Sequence, residues 1–480
     1  MKITFYGGID EIGGNKILVE ADHVKAFLDF GKSFKEAGKY FEEFVNPRSV
    51  HGLKDYFELG LTPKLEGIYR SDLLKISNES EIKISNKNSI DAVLLSHGHM
   101  DHAGYLSFLD PKIPVYTTSQ TLPVLRALHI SRPKNLENEI VEVADRSNPD
   151  VKFRKKSKRN FIPVLDNQTF SLGSWEVTPY CFDHSIPGSA MFLIKTKNIN
   201  LLYSGDFRLS EVPEEKKKKM YKEISKQGVD VFLCEGTRIS ASSAPVESEV
   251  YDKTFKKVKN IKGLAVVDYS MADMVRFNTL NRVAINTHRF FAMPYNYFNY
   301  LSVLKSEGLP VSDFKNVRLY AKQKIVLQKW EKELLNNNSF CKSEDIKNDP
   351  DKYMVALNFY QIQELIDWGV DENSLYVRAI TEPHNEEMEI SEQRFINWLK
   401  HFNMQGLEFI KNEKTNEEEI GFDRAHVSGH ISGIELKEVL ENIKPKMLIP
   451  IHTEYPEEFQ KIYDRDKIKI VKKGETITIN

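Results

Sequence analysis

What this sequence has little of narrows it first. Cysteine is scarce: the 480 residues hold three, Cys181, Cys234 and Cys341, and none forms a CxxC pair. That excludes a disulfide framework and leaves buried thiols in a reducing compartment. Charge of one sign is lacking too, since 67 lysines and arginines face 69 aspartates and glutamates for a net of -2. A polyanionic partner would have to be held by a local patch, not by a globally basic surface. No apolar run approaches the roughly 20 residues that span a bilayer. The opening MKITFYGGIDEIGG carries no continuous apolar signal region. The expectation is a soluble cytoplasmic protein with no membrane partner. Internal repeats and long low-complexity segments are missing as well. Apolar residues are plentiful, at 41% of the chain, which is ample for a sizeable core in two or three structural units.

Those units differ in rhythm. Residues 1–237 alternate short β-rich runs (ITFY, KILVE, VKAFLDF, DAVLLS, WEVTPYCF, AMFLIKT, INLLYSGD, VDVFLCE) with turns, and helical stretches fall only near 103–109 and 119–129. Many strands with few helices suit a layered sandwich. Residues 238–418 alternate strands such as GLAVVDY and SLYVRAI with helical stretches such as MADMVRFNTLNRVAIN and EQRFINWLKHF, the rhythm of an α/β domain with a parallel sheet. Residues 419–480 return to the first style, with KMLIPIH as a strand and a closing IKIVKKGETITI. One domain is therefore expected to be interrupted by another. The segment from Lys32 to Ile90 carries no chemically readable motif. Two lysine-rich runs stand out: KFRKKSKR, and EEKKKKM, which reads as an exposed helix face.

One stretch, LSHGHMDHAG, places His97, His99, Asp101 and His102 directly after the apolar run DAVLLS. Three histidines so close together gain little from packing. In extended chain, residues i and i+2 point the same way, so His97 and His99 can reach one metal ion. Asp101 and His102 follow a turn and approach from another side, which suits a second ion. Imidazole with carboxylate suits zinc at roughly 2.0–2.2 Å. Further candidates also follow apolar strands: His184 in FDHSIPGS, Asp206 in SGDFR and His452 in IHTEY. Of the 13 histidines, five fall in HGHMDH, FDHSIPGS and IHTEY.

HGHMDH matches the HxHxDH signature of the metallo-β-lactamase superfamily. DHSIPGS, YSGDFR, CEGTR, HVSGH and IPIHTEY resemble, in order, the remaining motifs of its β-CASP branch, and GGIDEIGGNKILVE with LDFG resembles the opening strands of ribonuclease J and its archaeal relatives. The resemblance implies an α/β fold, an αββα sandwich interrupted by an inserted α/β (β-CASP) domain. It implies two zinc ions, with manganese as a substitute in vitro. His97, His99 and His184 would hold the first ion, and Asp101, His102 and His452 the second. Asp206 would bridge them, and Asp29 would orient the site from behind. Glu235 would sit beside His430, with His426 nearby.

Two adjacent zincs activate a water and polarise a phosphoryl oxygen, and His430 is the natural donor of a proton to the leaving sugar oxygen. The implied activity is hydrolysis of RNA, read as single-stranded, as 5′-exonuclease, endonuclease or both. A terminal phosphate would be met by Ser428, the Gly429 N–H and Ser270. The Lys155, Lys156, Lys158 and Arg159 run would contact the RNA backbone. A β-CASP nuclease acting on DNA, or a metal-free binding protein of the same fold, remains open. Bacterial ribonuclease J proteins usually carry a further C-terminal domain that helps dimerisation, and some archaeal relatives carry N-terminal KH domains. Neither is expected here, so a homo-oligomer is left open.

Overall fold

The computed structural model describes all residues except 43, 79–81, 86, 149–153, 244, 383–385 and 412–417. Packing divides the chain into two compact units, Met1–Ala244 with Gly429–Asn480, and Pro245–Ser428. The expected boundaries at 238 and 418 lie earlier at both ends.

The first unit contains two large sheets. One runs in the order Thr476–Thr478, Lys2–Gly7, Lys16–Ala21, Val24–Leu28, Ala92–Leu94, Val115–Thr118, Phe161–Val164; the other runs Met447–Ile451, Val231–Glu235, Asn200–Tyr203, Ala190–Lys195, Trp175–Cys181, Phe170–Leu172. Strand periodicity assigns each side chain to a layer. Ile3, Phe5, Ile17, Val19, Ala26, Leu28, Ala92 and Leu94 share one core with Phe192, Ile194, Leu201, Tyr203, Val231 and Leu233 from the second sheet. The intervening residues face outward into apolar cores of their own. Leu18, Phe27 and Val93 pack with Leu53, Tyr56, Phe57 and Leu73. Met191, Leu193, Leu202 and Phe232 pack with Met220 and Ile224 of helix Glu214–Gln227 and with Leu436 and Leu440 of helix Gly433–Ile443. Both faces of both sheets are covered, which is why these strands read as continuous apolar runs.

The segment without a motif, Lys32 to Ile90, supplies part of that cover through helices Phe34–Gly38, Lys54–Glu58 and Ser71–Ser77. Two expectations need adjustment. The helix near 103–109 is an α-turn, Met100–Ala103, followed by a 3-10 turn, Gly104–Phe108, because the Tyr105 N–H leaves the helical ladder for Phe30 O at 3.0 Å. The closing run forms a strand only at Thr476–Thr478, after a turn at Gly474 with φ +83°.

The second unit carries an all-parallel sheet in the order Phe340–Cys341, Val317–Tyr320, Phe290–Met293, Tyr353–Ala356, Ala265–Asp268, Leu375–Arg378. Helix Met274–Asn286 begins where Asp273 caps it by accepting from Arg276 N at 2.9 Å. The buried Arg276 guanidinium binds Glu247 at 2.7 Å. It also donates to the main-chain oxygens of Ala379 and Ala425.

Candidate metal centre

Strand ends deliver the site of the first unit. His97 follows Ala92–Leu94, His184 follows Trp175–Cys181, Asp206 follows Asn200–Tyr203 and His452 follows Met447–Ile451. The last two of these strands flank Val231–Glu235 in parallel register, so Asp206, Glu235 and His452 emerge side by side. His452 holds its position with a left-handed backbone, φ +50°, and Asp29 does likewise at φ +55°. Such conformations in non-glycine residues persist where the surroundings fix them, as at functional sites.

Donor atoms converge in two sets that share Asp206. His97, His99, His184 and Asp206 form one; Asp101, His102, Asp206 and His452 form the other, each with ligand atoms within 4.8 Å of one another. In the first set, His99 Nδ1 lies 3.0 Å from both His97 Nε2 and His184 Nε2. In the second, Asp206 Oδ2 lies 3.0 Å from His102 Nε2 and 3.4 Å from His452 Nε2, while Asp101 Oδ2 lies 3.3 Å from His452 Nε2.

Outward-facing nitrogens fix the tautomers. His184 Nδ1 donates to Gly429 O at 2.6 Å, and His102 Nδ1 donates to Asp29 Oδ2 at 2.6 Å. Ser96 Oγ gives its own proton to Asp29 and so accepts from His97 Nδ1 at 3.0 Å. Thr237 Oγ1 donates to His452 O and accepts from His452 Nδ1 at 2.8 Å. With Nδ1 engaged outward, each of these four rings turns Nε2 inward, the nitrogen it would offer to a metal in its neutral form. Asp29 is anchored in turn by Tyr203 OH at 2.5 Å and Ser96 N at 2.7 Å.

The electrostatics fit cations. Burial holds His97 and His184 well below the usual imidazole range and His99 at about 4. Burial opposes charge on His102 as well, but Asp206, Asp101 and Asp29 outweigh it and hold that imidazole well above its usual range. Asp206 is held well below the carboxylate range, against burial, by His102, His452 and His430. Asp206 Oδ1 is buried without a hydrogen-bond partner, a costly state that coordination would relieve. Nitrogen and oxygen donors without sulfur suit zinc or manganese.

A tight backbone surrounds Asp101. A Cβ on Gly31 would lie 1.6 Å from Asp101 O, and one on Gly13 would lie 2.6 Å from Asp101 Oδ2. This is the structural content of GGN and LDFG. Gly429 answers to a comparable demand, since a Cβ there would meet His184 Nδ1 at 2.8 Å. Its observed contact is with His184.

Beside the donor sets, Glu235 Oε2 lies 3.0 Å from His430 Nδ1. Against burial, Glu235 and then Asp206 raise His430 to about 9. Glu235 is fully buried, and its Oε1 accepts from Phe207 N at 2.9 Å.

The remaining expected residues lie apart from this cluster in kind. Lys155, Lys156 and Lys158 are exposed, on or next to a hairpin of Glu142–Ala144 with Lys156–Lys158, and Lys156 pairs with Glu142. Part of the KFRKKSKR run, residues 152 and 153, lies outside the described residues. Arg159 is a correction: it is 5% exposed, and its guanidinium donates to the main-chain oxygens of Ile140, Leu106, Leu109 and Asp110. A guanidinium engaged in this way ties loops together and is not offered to a phosphate. Ser270, His426 and Ser428 belong to the second unit. There Ser270 is exposed and its carbonyl accepts from Asp273 N at 3.0 Å, and His426 Nδ1 accepts from Arg276 at 3.3 Å. Ser96, Tyr203 and Thr237 join the site without having been expected from sequence. Thr237 lies within the quoted CEGTR, but a lone hydroxyl gives no sequence signal.

Residues 73–250 match a beta-lactamase superfamily domain, and residues 423–470 match a Zn-dependent metallo-hydrolase RNA specificity domain. The chain is 24% identical to ribonuclease J of Mycoplasma pneumoniae over 95% of its own length and 68% of that protein's. It is 23% identical to ribonuclease J of Pyrococcus abyssi, over 95% of this chain and 90% of the other. The chain carries a metallo-β-lactamase domain and an RNA specificity domain and is ribonuclease J-like along its length. Among solved structures, a protein of unknown function from Enterococcus faecalis superposes with a TM-score of 0.68 at 19% identity, covering 100% of this chain and 99% of that one. That likeness establishes the fold. No described helix is long and apolar enough to cross a membrane.

Proposed function

We propose that this chain is a ribonuclease that uses two zinc ions, with manganese replacing them in vitro, to hydrolyse phosphodiester bonds of single-stranded RNA, from the 5′ end and internally. The observation that carries the reading is the pair of donor sets sharing Asp206 next to the Glu235–His430 pair. His97, His99, His184 and Asp206 would hold one ion, and Asp101, His102, Asp206 and His452 the other. Zinc in these positions supplies a water with a pKa lowered toward 7 and charge stabilisation at phosphorus. The chain supplies the rest. His430, kept protonated by Glu235, gives its proton to the leaving sugar oxygen. Asp29, Ser96 and Thr237 keep the ligand rings in register. Five of the seven ligand residues are buried and His99 and Asp101 are partly so, which favours approach of a phosphate on an unpaired strand over one on a duplex. The free thiols Cys181, Cys234 and Cys341 support a reducing, cytoplasmic location.

The test compares matched RNA and DNA oligonucleotides with zinc, with manganese and with a chelator. RNA should be turned over faster and the chelator should stop it; equal turnover of DNA would move the reading to the DNA branch. Among RNAs, a 5′-monophosphate should be degraded faster than its 5′-hydroxyl twin. Ser428→Ala should shrink that preference while sparing internal cutting. Equal consumption of circular and linear RNA would remove the 5′-exonuclease mode.

The exposed lysines give a separate expectation. Neutralising Lys155, Lys156 and Lys158 should weaken RNA binding and flatten its salt dependence, by about 0.7 in log–log slope for each phosphate no longer neutralised. Binding measured at several salt concentrations checks it, and an unchanged slope returns these lysines to ordinary solvated charge.

A further inference from the structure

Glu235 and His430 do more than face each other. One ligand atom from each of Asp206, Glu235, His430 and His452 lies within 4.8 Å of the others. His430 Nδ1 is 3.0 Å from Glu235 Oε2 and 3.8 Å from Asp206 Oδ2, and Asp206 Oδ2 is 3.4 Å from His452 Nε2. Two imidazoles and two carboxylates make up this group. Asp101, His102, Asp206 and His452 have the same composition. Both groups draw on Asp206 and His452, so one ion can satisfy either but not both.

We propose that Asp206, Glu235, His430 and His452 form an alternative seat for the ion otherwise held by Asp101, His102, Asp206 and His452. The inference rests on the two-metal reading above and deepens it. An ion moving into the alternative seat takes the place of the proton on His430 Nδ1, which leaves to solvent, and turns Glu235 from the partner of His430 into a ligand. His430 is then unable to protonate a leaving group. The alternative seat is therefore an off state assembled from the residues of the on state, and Asp101 with His102 holds the ion away from it.

Cobalt(II) is the probe. Metal-free protein is titrated while visible absorption is followed, and bound equivalents are counted by equilibrium dialysis. The unaltered chain should take two equivalents; taking only one would overturn the two-metal reading itself. Asp101→Asn weakens the ordinary seat alone. It should still take two equivalents, with a changed absorption band for the second. Asp101→Asn combined with His430→Ala, and independently with Glu235→Gln, should bind the second equivalent at least about tenfold more weakly than Asp101→Asn alone, the minimum expected for a missing metal partner. If Asp101→Asn takes a single equivalent, or if both double variants hold the second as tightly as Asp101→Asn does, the alternative seat is refuted and the two-metal reading stands.

Discussion

Asp206→Ala should lose at least one of the two metals and, with it, all measurable cleavage. Asp206 Oδ2 lies 3.8 Å from His97 Nε2, 4.0 Å from His184 Nε2, 3.0 Å from His102 Nε2 and 3.4 Å from His452 Nε2. No other carboxylate is common to both donor sets. Removing it takes one ligand from each ion and leaves two cations facing each other with no charge between them. Loss of a partner in the outer shell already costs roughly 10–100-fold in affinity. Loss of a shared inner carboxylate should exceed that, for the second equivalent above about 100-fold. The backbone should tolerate the change, because the neighbouring Gly205 and Phe207 are held by main-chain geometry and by Phe207 N donating to Glu235. Metal content measured beside RNA turnover decides the matter; full occupancy with full activity in Asp206→Ala would remove the shared-aspartate assignment.

Much of this site is legible in the residues, for a physical reason. A ligand at the end of an apolar strand is conspicuous: LSHGHMDHAG, FDHSIPGS, YSGDFR and IPIHTEY each set a polar donor against a run that packing alone would keep apolar. The supporting atoms are not legible. Ser96 and Thr237 orient rings through single hydroxyls, and Tyr203 reaches Asp29 across the sandwich from residue 203 to residue 29, a contact only the fold creates. Gly429 is legible as a glycine with a purpose but not as to which: His184, whose ring would meet any Cβ there, calls for it before any anion is considered. Arg159 shows the limit of composition. The run KFRKKSKR looks uniformly solvated, yet its last residue turns inward to four main-chain oxygens while Lys155, Lys156 and Lys158 stay outside. The short helices between Lys32 and Ile90 leave no mark in the sequence because five to seven residues cannot display a helical period.

His430→Ala should keep both metals in the ordinary seats and still bind RNA, but cleave about 10²–10⁴-fold more slowly, the usual share of general acid catalysis. His430 is absent from both of the donor sets assigned to the bound ions, so metal content is expected to hold. Burial alone would lower the His430 pKa; Glu235 first, and Asp206 after it, raise the imidazole to about 9 instead. The acid form is therefore the one present at neutral pH. Two bound cations work in the opposite sense, disfavouring an imidazolium beside them. The alkaline limb of kcat/KM should accordingly fall at or below pH 9, and His430→Ala should abolish that limb along with the rate. Glu235→Gln removes the charge that raises His430 and should move the limb to lower pH while sparing the metals. The same group leaves a mark on folding. A histidine whose folded pKa lies above its unfolded value of about 6.5 contributes stability that is complete below that pH and is lost as pH rises through about 9. Metal-free protein should therefore lose thermal stability between these two values. His430→Ala should show less of that loss, with the remainder left to His102, which is raised in the same direction. Zinc analysis, the pH–rate profile and apo-protein melting curves together separate the outcomes. If His430→Ala releases zinc at neutral pH, the residue is a permanent ligand and the proton must come from another group.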